Sequence, residues 1–238
     1  MKILFAGCSF VYGAEVERHE RFSYLVSQAL GAEELNVARG GRSNAMSAYT
    51  ILLEAVKQQP DYIVFGLSYN DRTFVPDETG FNEYVDNEYL LYRPLQDSGD
   101  MAEVGYQMSS HPPNPHMPMK EELLNTYSLY RNRPLSHLEK MSIVYMLKAL
   151  SETSGIPMCI FPSVNNENIV KINDVDMNDT ILAYPPNIPQ WFDIPNATSF
   201  KNLGYIFDDF MPGGHPGPRS NKYFADVLVN RIKKDLRV

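Results

Sequence analysis

Four short apolar runs constrain the fold most. They are "KILFAG" (2–7), "ELNVA" (34–38), "DYIVFGLS" (61–68) and "IPMCIFPS" (156–163). Each is short and ends near Gly, Ser or another small residue, so each reads as a buried strand. Between them lie stretches with helical spacing. "ERFSYLVSQALG" (20–31) places Phe22, Leu25, Val26 and Leu30 on one face and stops at Gly31. "SNAMSAYTILLEAVKQQ" (43–59) opens on a Ser cap and closes before Pro60. "LSHLEKMSIVYMLKALSETSG" (135–155) reads as a long amphipathic helix. "SNKYFADVLVNRIKKDL" (220–236) reads as a closing helix whose basic residues sit in the last turns, where the helix dipole favours them. Strands that alternate with helices predict a parallel sheet covered on both faces.

Two stretches break that rhythm, about 73–134 and 164–214, and they carry most of the chain's prolines. Long segments without periodicity inside a compact domain usually form lids or binding loops. They read as insertions at the carboxyl edge of the sheet in a single domain spanning 1–238, with a helix expected around 120–131. With 238 residues, 44% of them hydrophobic, the chain can bury a sizeable core. The net charge is −8 and no Lys/Arg run is present, which argues against nucleic acid or an anionic membrane as partner. No apolar run approaches membrane-spanning length, and residues 1–7 are too short and too weakly basic for a signal peptide. Cys8 and Cys159 both lie in apolar runs and read as reduced thiols, so the expectation is a soluble, cytoplasmic protein. The oligomeric state is not legible.

In an open parallel sheet, ligands bind beyond the carboxyl ends of the strands. After the first strand comes "GCSFVYG" with Ser9; after the second, "NVARGGRSN" with Gly40 and Gly41; after the third, "GLSYNDR" with Asn70 and Asp71. Just before the last helix comes "GGHPGPRSN" with His215. Together these residues suit acyl transfer. Ser9 would attack a carbonyl, and His215 would take its proton and return it to the leaving oxygen. The Gly41 N–H, the Asn70 side-chain amide and the Ser9 N–H would stabilise the oxyanion.

The order Ser in "GCS", Gly in "NVARGG", Asn in "SYND" and His in "HP" resembles the SGNH hydrolases, the GDSL-like esterase and lipase superfamily. The resemblance covers the framework, about 1–72, 140–163 and 205–236. It implies a flavodoxin-like three-layer α/β/α fold and a serine esterase that needs no metal or organic cofactor. It also implies that Cys8 stands where the family has Asp, that Asn36 and Gly41 match the family's Asn and Gly, and that Ser68, Tyr69, Asn70 and Asp71 match its Gly-x-Asn-Asp. The family usually carries an Asp three residues before its His; here that position is Pro212. Either Asp209 or Asp208 folds back to the imidazole, or the pair runs as a Ser–His dyad, the alternative this reading leans towards.

Each residue also has a plainer account. Ser9 alone would be a turn serine or a helix cap. Gly40-Gly41 alone would be a turn, Asn70-Asp71 a turn closed by its own side chains, and His215 a loop histidine. Cys8 is a rival nucleophile. His111 and His116, in "HPPNPH", lack a third ligand at metal spacing. Arg39, Arg42, Arg72 and Arg219 lie beside the motifs; they either bind an anionic part of the substrate or hold the strand-end loops through Arg–Asp pairs. The substrate expected is a small-molecule or carbohydrate ester such as an O-acetyl group. An acyltransferase on the same fold, or a binding protein that has lost catalysis, are the competing functions.

Overall fold

Ile3, Leu4 and Phe5 have no solvent exposure, which places β1 (Lys2–Ala6) in the interior of a parallel sheet. On one side β1 pairs with β2 (Glu33–Asn36), on the other with β3 (Tyr62–Leu67), Leu4 standing opposite Leu35 and Ile63. The computed structural model describes residues 1–68, 133–164 and 190–238. It also describes the backbone of strands at 73–77, 80–87, 89–94, 171–172 and 175–176, with side chains described over 1–68, 139–164 and 190–238.

The helices follow their sequence signals. A single helical turn, α1 (Ser9–Tyr12), leaves β1 and stops at Gly13. Next come α2 (Phe22–Leu30), ended by a left-handed Gly31, and α3 (Asn44–Gln58), whose Ser43 side chain accepts the Met46 N–H. Three strands, β4 (Thr73–Asp77), β5 (Gly80–Asn87) and β6 (Tyr89–Pro94), form a separate antiparallel sheet within the first stretch expected to be an insertion. The long helix α4 (Arg133–Ser154) leads into β7 (Met158–Pro162), which pairs with β3. A two-residue-armed hairpin of β8 (Lys171–Ile172) and β9 (Val175–Asp176) precedes α5 (Phe200–Phe207) and α6 (Pro218–Leu236).

The main sheet runs β2-β1-β3-β7. Counted among the framework strands alone this is the order 2-1-3-4, the doubly wound order of flavodoxin-like sheets, as expected. Alternation along each strand divides the core in two. Ile3, Phe5, Tyr62, Val64 and Phe161 pack under α2, α5 and α6. Leu4, Ala6, Ile63, Phe65, Leu67 and Ile160 pack under α3 and α4.

Residues 190–207, expected within the second insertion, contribute apolar side chains to the core. Trp191 bridges in parallel to Ile160, and Phe192, Ile194, Phe200 and Leu203 are buried. Their apolar side chains are spaced among Pro195, Asn196 and Ser199, which hides the period. The helix expected around 120–131 lies outside the described residues.

Candidate active site

The turn after β1 is built around Gly7. Its φ of +147° lies where side chains are disfavoured, and a Cβ there would stand 2.6 Å from Val11 Cγ2 and 2.8 Å from the Gly66 carbonyl. Cys8 then caps α1, with its carbonyl accepting the Val11 and Tyr12 N–H groups. Its thiol has no exposure and joins the cluster of Ile3, Phe5 and Val11. Ser9 takes the first helical position, whose N–H has no carbonyl within the helix to donate to. Its residue exposure is 9%. The two neighbours are thus sorted by the turn: sulfur into the core, hydroxyl residue at the sheet's carboxyl end.

The loop after β2 tracks the end of β1. Val37 N–H donates to the Phe5 carbonyl at 2.9 Å and Arg39 N–H to the Gly7 carbonyl at 3.2 Å. Asn36 binds this loop to its surroundings: Oδ1 accepts the Ala38 N–H, and Nδ2 donates to the Val11 carbonyl and to Ser23 Oγ. Gly41 follows two residues after Arg39, with φ +74°. The Arg42 side chain does not reach outward. It is 8% exposed, and Nη1 donates to the Val37 carbonyl at 3.2 Å and Thr50 Oγ1 at 3.1 Å, so it braces its own loop. Arg39 is half-buried. Arg219 is exposed, its guanidinium 6.0 Å from the centre of the Phe207 ring.

At the end of β3, Asn44 grips the backbone of Ser68 from both sides. Asn44 Oδ1 accepts the Ser68 N–H at 2.7 Å, and Nδ2 donates to the Ser68 carbonyl at 3.3 Å. Sequence reasoning missed this residue. Its position directly after a helix cap, at the end of a glycine-rich loop, was the available signal. Asn70, Asp71 and Arg72 lie outside the described residues, as do His111 and His116.

His215 sits on the returning arm of a tight turn. Phe210 bridges antiparallel to Pro216, Met211 N–H donates to the His215 carbonyl at 2.8 Å, and Gly214 N–H donates to the Met211 carbonyl at 2.9 Å. This turn docks on the one that carries Ser9: the imidazole lies 4.9 Å, centre to centre, from the ring of Phe10. His215 Nδ1 is 2.5 Å from Glu15 Oε2, and Glu15 Oε1 accepts the Gly213 N–H at 2.6 Å. Glu15 comes from the β1–α2 connection, six residues after Ser9.

The carboxylate at the imidazole is therefore neither Asp209 nor Asp208. Asp209 is engaged at the start of α6: Oδ2 accepts the Ser220 N–H at 2.8 Å, and its carbonyl accepts the Gly217 N–H at 2.7 Å. A carboxylate that satisfies the free N–H groups of a helix start is a capping group. Asp208 closes α5 with left-handed backbone. The imidazole, which the sequence reading leans towards leaving without a carboxylate, has Glu15 at Nδ1. Glu15 was missed because it stands among Glu17 and Glu20 in "AEVERHE", where nothing local distinguishes it.

Among the described residues no group of three or more His, Cys, Asp or Glu is arranged to hold a metal ion, and no helix is long and apolar enough to cross a membrane. Burial pushes the Cys159 thiol and the Tyr62 hydroxyl up, Tyr62 also donating to Asp235 at 2.6 Å. Burial pushes Lys140, on α4, down to about 7.

No family model matches the chain, and no curated protein matches it. Among solved structures the chain is similar to TesA, at 17% identity over 30% of this chain and 42% of that one, with a TM-score of 0.28. It is similar to the psychrotrophic esterase EstA from Pseudoalteromonas sp., at 11% identity over 100% and 99% of the two chains, TM-score 0.49. An acetyl xylan esterase aligns at 14% identity over 98% and 100%, TM-score 0.44. At these identities and scores the functional reading rests on the chain's own residues.

Proposed function

We propose that this chain is a serine esterase or deacylase that hydrolyses a small or carbohydrate-linked ester, such as an O-acetyl group, with Ser9 as nucleophile and His215 as its general base and acid. The observation that carries this reading is the docking of the His215 turn on the Ser9 turn, imidazole against Phe10, at the carboxyl end of a parallel sheet. With a carboxylate at Nδ1, Nε2 is the nitrogen suited to take the Ser9 proton.

In the reaction, Ser9 Oγ attacks the ester carbon as its proton passes to His215 Nε2. The tetrahedral oxyanion is stabilised by the Ser9 and Gly41 N–H groups and the Asn70 amide. Collapse breaks the bond to the alcohol, which leaves with the proton from His215. Water, deprotonated by the same imidazole, then releases the acid from Ser9. The reading of a silent binding protein drew its main support from Pro212 in place of an Asp; a carboxylate on His215 Nδ1 removes that support.

Incubation with a fluorophosphonate probe tests this directly. Ser9 should become phosphonylated, as located by mass spectrometry, and Ser9→Ala should not label. A protein that labels on neither Ser9 nor Cys8 and cleaves neither p-nitrophenyl acetate nor acetylated sugars would not be a hydrolase; labelling at Cys8 would move the chemistry to the thiol.

A further inference from the structure

We infer that Glu15 is the positioning residue for His215, supplied by the nucleophile's own turn instead of the histidine's loop; this rests on the esterase reading above. Both carboxylate oxygens of Glu15 are engaged, Oε2 with His215 Nδ1 at 2.5 Å and Oε1 with the Gly213 N–H at 2.6 Å. The Glu15 side chain is 7% exposed against 20% for the imidazole, so the carboxylate is the more deeply held partner. A carboxylate at Nδ1 fixes the tautomer that leaves Nε2 unprotonated, and stabilises the imidazolium formed when Ser9 gives up its proton. The proton stays on Nδ1 throughout; Glu15 does not take it.

Two local features prepare this arrangement. The chain after α1 reverses through Gly13, and Glu15 itself holds a left-handed backbone, φ +69°, uncommon for a residue with a side chain. The reversal swings residue 15 towards the 211–215 turn. On the other side, residue 213 has no side chain. A Cβ on Gly213 would come within 2.5 Å of Glu15 Oε2 and 2.7 Å of Oε1. The site of the usual carboxylate, position 212, is Pro, and the residue after it is the one that must be small to admit a carboxylate from elsewhere.

A plain staple between two loops would use the same hydrogen bonds, so the test separates charge from tethering. Glu15→Gln keeps the shape and the bond from the Gly213 N–H. It should lower kcat by about 10²–10⁴-fold with KM changed less than about threefold, because the lost stabilisation belongs to the transition state. The imidazole Nδ1 proton, read by NMR on the full chain, should appear far downfield in the native protein and lose that position in Glu15→Gln. Gly213→Ala leaves the carboxylate in place chemically but displaces it sterically, and should shift the same resonance and lower kcat. Asp209→Asn should lower the melting temperature and leave the resonance where it was. Unchanged kcat in Glu15→Gln, or an Nδ1 resonance indifferent to it, would overturn the assignment. If Ser9 failed to label while the resonance responded to Glu15, the pairing would stand and the esterase reading would fall.

Discussion

The two faces of the main sheet are filled with different kinds of side chain. Under α2, α5 and α6 the core is aromatic, and Phe22 is its hub: its ring meets Phe5, Phe161, Phe200 and Phe224 edge-on, at 5.0 to 6.2 Å between centres. Under α3 and α4 it is mainly aliphatic, with Leu4, Ile51, Ile63, Val144 and Leu147 around a single buried ring, Phe65. The elements of the site divide the same way. Ser9, Glu15 and His215 hang from the turn before α2 and the turn before α6, on the aromatic side. Gly41 lies just ahead of α3, and Ser68, two residues before Asn70, is gripped by the first residue of α3, on the aliphatic side. Edge-to-face rings have preferred geometry and add specificity beyond the area they bury, whereas aliphatic side chains tolerate repacking. Proton transfer is sensitive to small displacements, and the groups proposed for it here are attached to the layer with the more directional packing.

The sharpest way to break this division is at the reaction itself. Ser9→Ala should reduce ester hydrolysis by about 10⁶-fold while circular dichroism and melting stay close to native. Phe22→Ala, at the aromatic hub, should destabilise the fold by about 3–5 kcal/mol in a denaturant titration, and the His215 Nδ1 resonance should broaden with it. Asn70→Ala should lower kcat by about 10²–10³-fold and change KM less, leaving the resonance untouched, because the oxyanion donor proposed at Asn70 acts in the transition state and not on the imidazole. A resonance that moved in Asn70→Ala would show that the two halves are coupled.

Lys140 sharpens the aliphatic side. It is 1% exposed, and it precedes Ile143 and Val144 by three and four residues on the same helical face. Burial holds its ammonium near 7, below the ordinary lysine value. Between those two values the unfolded chain binds the extra proton and the folded chain does not, so stability rises with pH across that window. Unfolding free energy should gain about 2 kcal/mol between pH 7 and 9 from this group, and Lys140→Met should flatten that slope. The smallest effect belongs to the outer face of α3: Val56→Ser, at a site 79% exposed, should alter stability by no more than about 0.5 kcal/mol.

The framework is legible in the sequence because its signals are local. Strand runs ending in Gly or Ser, the Ser43 cap and the Gly31 stop each specify an element within a few residues. The antiparallel β4–β6 sheet is not legible, since Pro76, Pro94 and the acidic residues between them mask the alternation in "FNEYVDNEYLLY". Within the site, the positions of Ser9, Gly41 and His215 follow from strand ends and a helix start. That of Glu15 does not, because its partner lies 200 residues away in sequence. Locally, Pro212 and the two glycines beside it give no reason for a carboxylate to return to His215. In the fold, Gly213 leaves the space that the Glu15 side chain fills.

That separation has a consequence for biosynthesis. The turn holding Ser9 and Glu15 is synthesised some 200 residues ahead of the imidazole that Glu15 contacts. His215 is anchored by the helix on its C-terminal side: the Phe22 N–H donates to Asn221 Oδ1, and α6 packs along α2. A nascent chain that has not yet docked α6 carries a serine and an acid with no base between them. In the proposed mechanism such a chain has no base to activate Ser9, and hydrolysis awaits the docking of α6 on α2.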